Sequence, residues 1–196
     1  MVQATRKLAV GFTLALSLTA CTMGGERGAI PESSAEQLIP LGRLKSIDLS
    51  GDLPAAEEFP ESKPPKAVGE LRKGPRRLIA YTQEGSCGLL VADAANSKQS
   101  LIDITSAWPK NDSEGSKRYP AGPYSFTSGA GSSESETWAS LYCSKAAMVI
   151  EYSSKEHAPA SDQKGSVSTK AHQGDSDSLT VVIGSPEVRK TILRQA

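Results

Sequence analysis

From Arg76 onward the chain is cut into short apolar runs at hairpin spacing, and that rhythm restricts the fold more than any other feature. RRLIAYT, CGLLVAD and SLIDIT are aliphatic or β-branched runs, separated by Gln83-Glu84-Gly85-Ser86 and by Ala95-Asn96-Ser97-Lys98. PYSFT follows, flanked by Pro and Gly, then ETWASLYC and AAMVIEY, then SLTVVIG. Runs of this length, bounded by turn residues, predict strands, and Ser144-Lys145 between two of them predicts a tight hairpin. About seven strands at such spacing predict a mainly β fold, a single antiparallel meander or β-sandwich. Trp138, Tyr142, Tyr152, Tyr124 and Phe126 supply its larger core or rim side chains. The tail SPEVRKTILRQ reads as a short C-terminal helix. Ser185 can cap it, Pro186 suits the first turn and Glu187 complements the dipole. Val188 and Ile192, four apart, can dock one face, although a strand remains an open reading.

Before Arg76 the texture is different. Leu44, Ile47 and Leu49 suggest a first edge strand. Residues 52–75, rich in Pro and Glu, read as irregular, with one helical turn at Ala55 to Phe59. Residues 153–177, which hold both histidines, read as a polar loop. The globular domain is therefore placed at 43–196, with 22–42 (Gly, Pro, Ser and Glu with scattered aliphatics) as a tether.

The start of the chain is MVQATRKLAVGFTLALSLTAC. Arg6 and Lys7 form a positive n-region, and Leu8 to Leu18 is apolar and uncharged, the order of a secretory signal peptide. The run is too short to span a bilayer core of roughly 30 Å as a helix. Its end, Leu18-Thr19-Ala20-Cys21, resembles the lipobox of bacterial prolipoproteins. The resemblance covers only about the first twenty-five residues. It implies that residues 1–20 are removed as a signal and that the Cys21 thiol carries lipid, acyl chains such as palmitate making the anchor durable. Thr22 is not the aspartate associated with inner-membrane retention. The resemblance therefore implies a cell-membrane or outer-membrane location, with the domain facing the periplasm or the exterior.

If Cys21 is lipidated, Cys87 and Cys143 remain as an even pair in an oxidising compartment. A disulfide between them closes a loop of about 57 residues, worth roughly 4 kcal/mol in the chain-entropy model. Alternation also sets Cys87 on the face of Leu89 and Val91, and Cys143 on that of Leu141 and Ala139, so a core-facing staple between strands is expected. The rivals are a free buried thiol and a cysteine nucleophile in the Gly-Ser-Cys-Gly turn. The latter needs a histidine in reach, and the surrounding residues match neither the papain nor the caspase pattern.

No other constellation carries a clear chemistry. His157 and His172 share their stretch with Glu156, Asp162, Asp175 and Asp177, but fourteen residues separate them and match no closed zinc site. Gly129-Ala130-Gly131-Ser132-Ser133 lacks the trailing glycine of a nucleophile elbow and reads as a hairpin loop. Arg72-Lys73 and Arg76-Arg77 read as a solvated edge, or as a contact for anionic lipid headgroups. The formal net charge is +0, and loss of Arg6 and Lys7 with the signal leaves two more acids than bases. That balance gives no argument for nucleic acid. Aromatic residues make up 5% of the chain, so composition advertises no platform of stacked rings for carbohydrate.

The expected function is a membrane-anchored, non-catalytic envelope module that binds a protein, glycan or small ligand or assists assembly, without cofactor or metal. The alternative is an envelope hydrolase with its site near His157 or His172. A third reading is a fixed component of a larger envelope complex.

Overall fold

The computed structural model describes residues 38–96, 99–132, 136–172 and 177–196. The expected signal, Cys21 and most of the expected tether lie outside them. Ten strands among the described residues form two five-stranded antiparallel sheets, followed by one short helix. The first sheet has the order β4 (Ser100–Ala107), β3 (Ser86–Asp93), β2 (Arg76–Gln83), β1 (Lys66–Lys73), β8 (Ala160–Gly165). The second has β5 (Ser125–Ala130), β6 (Trp138–Cys143), β7 (Ala147–Ser154), β10 (Asp177–Gly184), β9 (Val167–His172). The fold is mainly β, and its main core lies between the two sheets.

Period-two alternation fills that core. Leu78, Ala80, Leu89 and Val91 from one sheet meet Leu141, Ile150, Leu179 and Val181 from the other. Cys87 and Cys143 are fully buried among them and joined by a disulfide, with Cα atoms 5.7 Å apart. Because β3 and β6 belong to different sheets, the bond crosses the sandwich. The Gly-Ser-Cys-Gly turn has a structural explanation at each position. Glu84 and Gly85 both take positive φ, 44° and 82°, as a two-residue hairpin turn demands, and Ser86 bonds back to the Gln83 carbonyl. Gly88 lies under the Tyr81 ring: a Cβ there would stand 2.0 Å from Tyr81 Cζ.

Three of the ten strands differ from the expectation of about seven, each for a physical reason. β1 lies inside the stretch expected to be irregular. It is covered on both faces: Val68 and Leu71 enter the main core, while Ala67 faces a second cluster on the outer side of the first sheet. Its charged residues Glu70 and Lys73 are buried with partners, which hides the strand pattern. β8 and β9 lie inside the expected polar loop. They are the edge strands beside β1 and β10, and edge strands take polar and charged side chains.

The expected first strand is instead an extended segment. Ile47, Leu49, Leu53 and Phe59 pack across the outer face of the first sheet against Ile79, Tyr81 and Leu90. The turn expected at Ala55 to Phe59 is a 3-10 turn at Ala56–Glu58. The tether gives way to the domain earlier than expected. Leu41 is fully buried, and its N–H donates to the Lys145 carbonyl at 2.8 Å. The tail forms α1 (Pro186–Gln195), with Ser185 accepting from the Val188 N–H and with Val188 and Ile192 buried against the second sheet.

Candidate functional site

The two ends of the sandwich differ. The end where the chain joins the domain holds the β6–β7 turn, Leu41 and the disulfide, with open hollows beside Gly42, Lys66 and Trp108 and beside Leu38, Ser144 and Lys145. The other end gathers the last residues of β1, β7 and β9 and the first of β2 and β10. There an open crevice of about 300 Å³ is lined by Lys73, His157, Pro159, His172, Asp177 and Ser178, among others.

Each polar side chain arrives from a different element. Lys73, the last residue of β1, is buried; its ammonium donates to the Ala158 carbonyl at 2.9 Å and lies 3.8 Å from Asp177 Oδ2. Asp177 opens β10, and the same oxygen is 3.0 Å from His157 Nδ1. His172 closes β9, opposite Ser178 in register, with Nε2 2.8 Å from Thr180 Oγ1. Sequence reasoning set both histidines in one polar loop. The structure brings both to one crevice, together with a lysine 84 residues before His157.

Behind the crevice the polar character continues inward. Arg76 reaches Asp93 at 3.1 Å and Glu156 at 3.7 Å. Tyr152 and Ser154, both buried, complete the group. Arg76 Nε and Glu156 Oε2 are buried here and make no hydrogen bond among the described residues, while the Tyr152 hydroxyl has those of Ser154 and Thr137 beside it. Each such atom costs about 1–3 kcal/mol when left unpaired in a protein interior. Burial raises the Tyr152 pKa, partly offset by the neighbouring Ser154 and Thr137 hydroxyls, so the phenol stays a proton donor.

Chemically, the His157–Asp177 contact is half of an acid–base device, because the carboxylate can orient the ring. A nucleophile is the missing half. No hydroxyl bonds to His157 Nε2 among the described residues, and Cys87 and Cys143 are bonded to each other. No group of three or more His, Cys, Asp or Glu among the described residues could hold a metal. The glycine-rich stretch offers no elbow either. Gly129 and Ala130 end β5, where a Cβ at Gly129 would stand 2.7 Å from Ile104 of β4. The basic cluster is not the expected solvated edge. Arg77 is buried against Glu70 at 2.5 Å and donates to the Asp52 and Gly51 carbonyls, and Lys73 belongs to the crevice.

No protein-family model, curated protein or solved structure matches this chain. No helix among the described residues is long and apolar enough to cross a membrane.

Proposed function

We propose that this chain is a lipid-anchored envelope protein, held at the cell or outer membrane through Cys21, whose β-sandwich binds a partner or small ligand without catalysis. The observation that carries the reading is polarity of layout. The chain joins the sandwich at Leu41, at the end opposite the crevice. In a domain anchored through Cys21, the crevice would then lie at the end of the sandwich away from the point where the tether enters. Such a site suits a small polar ligand or a projecting polar segment of an envelope protein. Membrane fractionation tests the anchor. The wild-type chain should sediment with membranes and Cys21→Ala should not; equal partition of both would overturn it.

The His157–Asp177 contact supports a second reading, an envelope hydrolase in which His157 acts as a general base on a water or substrate hydroxyl. Both histidines have sites on the crevice wall, so one experiment separates the readings. A hydrolase loses turnover in the His157→Ala/His172→Ala double variant, whereas a binder shows no turnover before or after the change and loses only ligand affinity.

A further inference from the structure

Basic side chains are treated differently at the two ends of the sandwich. At the crevice end they are matched to acids: Arg72 lies 3.7 Å from Asp162, Lys73 3.8 Å from Asp177 and Arg76 3.1 Å from Asp93, and Lys155 pairs with Glu136. At the end where the chain enters, Arg43, Lys45, Lys66 and Lys145 surround the entry point. None of these four is in an ion pair among the described residues.

Their grouping follows from the path of the chain. Arg43 closes the 3-10 turn Leu41–Arg43, and the Leu41 N–H donates to the Lys145 carbonyl at 2.8 Å, so the entry turn touches the tip of the β6–β7 hairpin. Lys66 opens β1, and its ammonium donates to the Gly42 carbonyl at 3.1 Å. Lys45 stands two residues before Ile47, whose N–H donates to the Ala67 carbonyl next to Lys66. Arg43, Lys45 and Lys145 are exposed and Lys66 is half-buried. Acids stand at this end as well. Glu84 is held by Lys63 at 2.9 Å, and Asp112 and Glu114 share an exposed loop with Lys110, whose N–H donates to Glu114. Neither they nor Glu61 and Glu187 bridge to any of the four cations.

Unpaired cations in one group attract an anionic partner, and the attachment of the chain decides which. Sixteen residues lie between Cys21 and Leu38. A chain of that length spans at most about 60 Å in any conformation. The crevice end lies a further strand length away, about 26 Å for the eight residues of β1. With Cys21 acylated, lipid headgroups are therefore the anionic surface these cations meet at the highest local concentration, whereas an acidic protein must arrive by diffusion. A basic group also reinforces an acyl anchor, each charge near an anionic surface strengthening association about fivefold. We propose that the tether end of the sandwich rests on anionic lipid headgroups through Arg43, Lys45, Lys66 and Lys145. The contact rests on the anchor reading and adds an orientation that the anchor alone leaves free.

The chain has two tryptophans, one at each end, which makes the orientation measurable. Trp108 lines the hollow beside Gly42 and Lys66, while Trp138 opens β6 opposite Ser153, at the crevice end. The full acylated chain is inserted through its anchor into vesicles of phosphatidylcholine with phosphatidylglycerol, or of phosphatidylcholine alone. Both carry a dansyl-labelled headgroup that accepts energy from tryptophan. Trp138→Phe, an exposed change, leaves Trp108 as the sole donor, and subtraction from wild type gives Trp138. In anionic vesicles transfer from Trp108 should exceed that from Trp138 at least about twofold, because the two indoles stand at opposite ends of the sheets. High salt, neutral vesicles and the exposed changes Arg43→Glu/Lys45→Glu/Lys145→Glu should each bring the two values together. Equal transfer from an anchored wild type in anionic vesicles would overturn the proposal and leave the cations to an acidic protein. So would an excess at Trp108 that survives salt, neutral lipid and the triple variant, since the tether alone would then set it. A wild type that stays off both kinds of vesicle, as Cys21→Ala should, would instead remove the anchor and this contact with it.

Discussion

Replacing both Cys87 and Cys143 with alanine measures how much of the fold depends on the link between the sheets. The bond spans 56 positions of sequence and joins β3 to β6 across the core. Freeing a loop of that length returns conformational entropy to the unfolded chain, worth roughly 4 kcal/mol. Both side chains are fully buried, so the substitution also removes two packed sulfur atoms. The sum is a large part of a typical stability of about 5–15 kcal/mol. For a domain of this size the entropy part alone corresponds to a fall in Tm of roughly 8–16 °C. Urea unfolding of the wild type and the double variant, without reductant, reads the difference directly. Each single variant should fall at least as far, because it loses the bond and leaves a lone thiol in the core. A double variant within 1 kcal/mol of wild type would show that the sheets cohere without the link and refute the reasoning.

Three further outcomes follow from packing and charge. Gly88→Ala drives a methyl into the Tyr81 ring and should cost at least about 1–3 kcal/mol, whereas alanine for Gly51, whose added Cβ would stand 3.6 Å from Arg77, should cost far less. Ile192→Ala should cost about 2–5 kcal/mol by removing one of the two buried anchors of α1, and faster amide exchange in the helix would report the same loss. Burial pushes the Glu70 carboxyl up, but the Arg77 hydrogen bond and the Ser50 N–H outweigh it and hold the pKa below its ordinary value of 4.5. A depressed carboxyl gives stability that is present above its unfolded pKa and lost as pH falls through the folded one. Glu70→Gln should therefore be much less stable than wild type at pH 7, and the gap should narrow as pH drops below about 4.5; a gap constant with pH would contradict this.

The sandwich was legible where chemistry and periodicity agree. Cys87, Leu89 and Val91, and Ala139, Leu141 and Cys143, alternate as half-buried strands do, and all six meet in one core. The helix was legible because cap, first-turn proline and apolar spacing coincide between Ser185 and Ile192. β1 was hidden by its own ion pairs. Glu70 and Lys73 look like surface residues until Arg77 and Asp177 are brought beside them by strand pairing. β8 and β9 were hidden because edge strands exposed to water need no apolar alternation. The crevice was hidden for a third reason. Lys73, His157, His172 and Asp177 converge only once β1 and β10 stand at the same end of the two sheets, and no local spacing encodes that.

Intact mass of the membrane-extracted chain under non-reducing conditions most directly tests the proposed lipid anchor together with the Cys87–Cys143 bond. The predicted species lacks residues 1–20, carries a diacylglycerol on Cys21 and is two hydrogens lighter than its reduced form. A chain that keeps residues 1–20, or that has a free thiol at position 21, would contradict it.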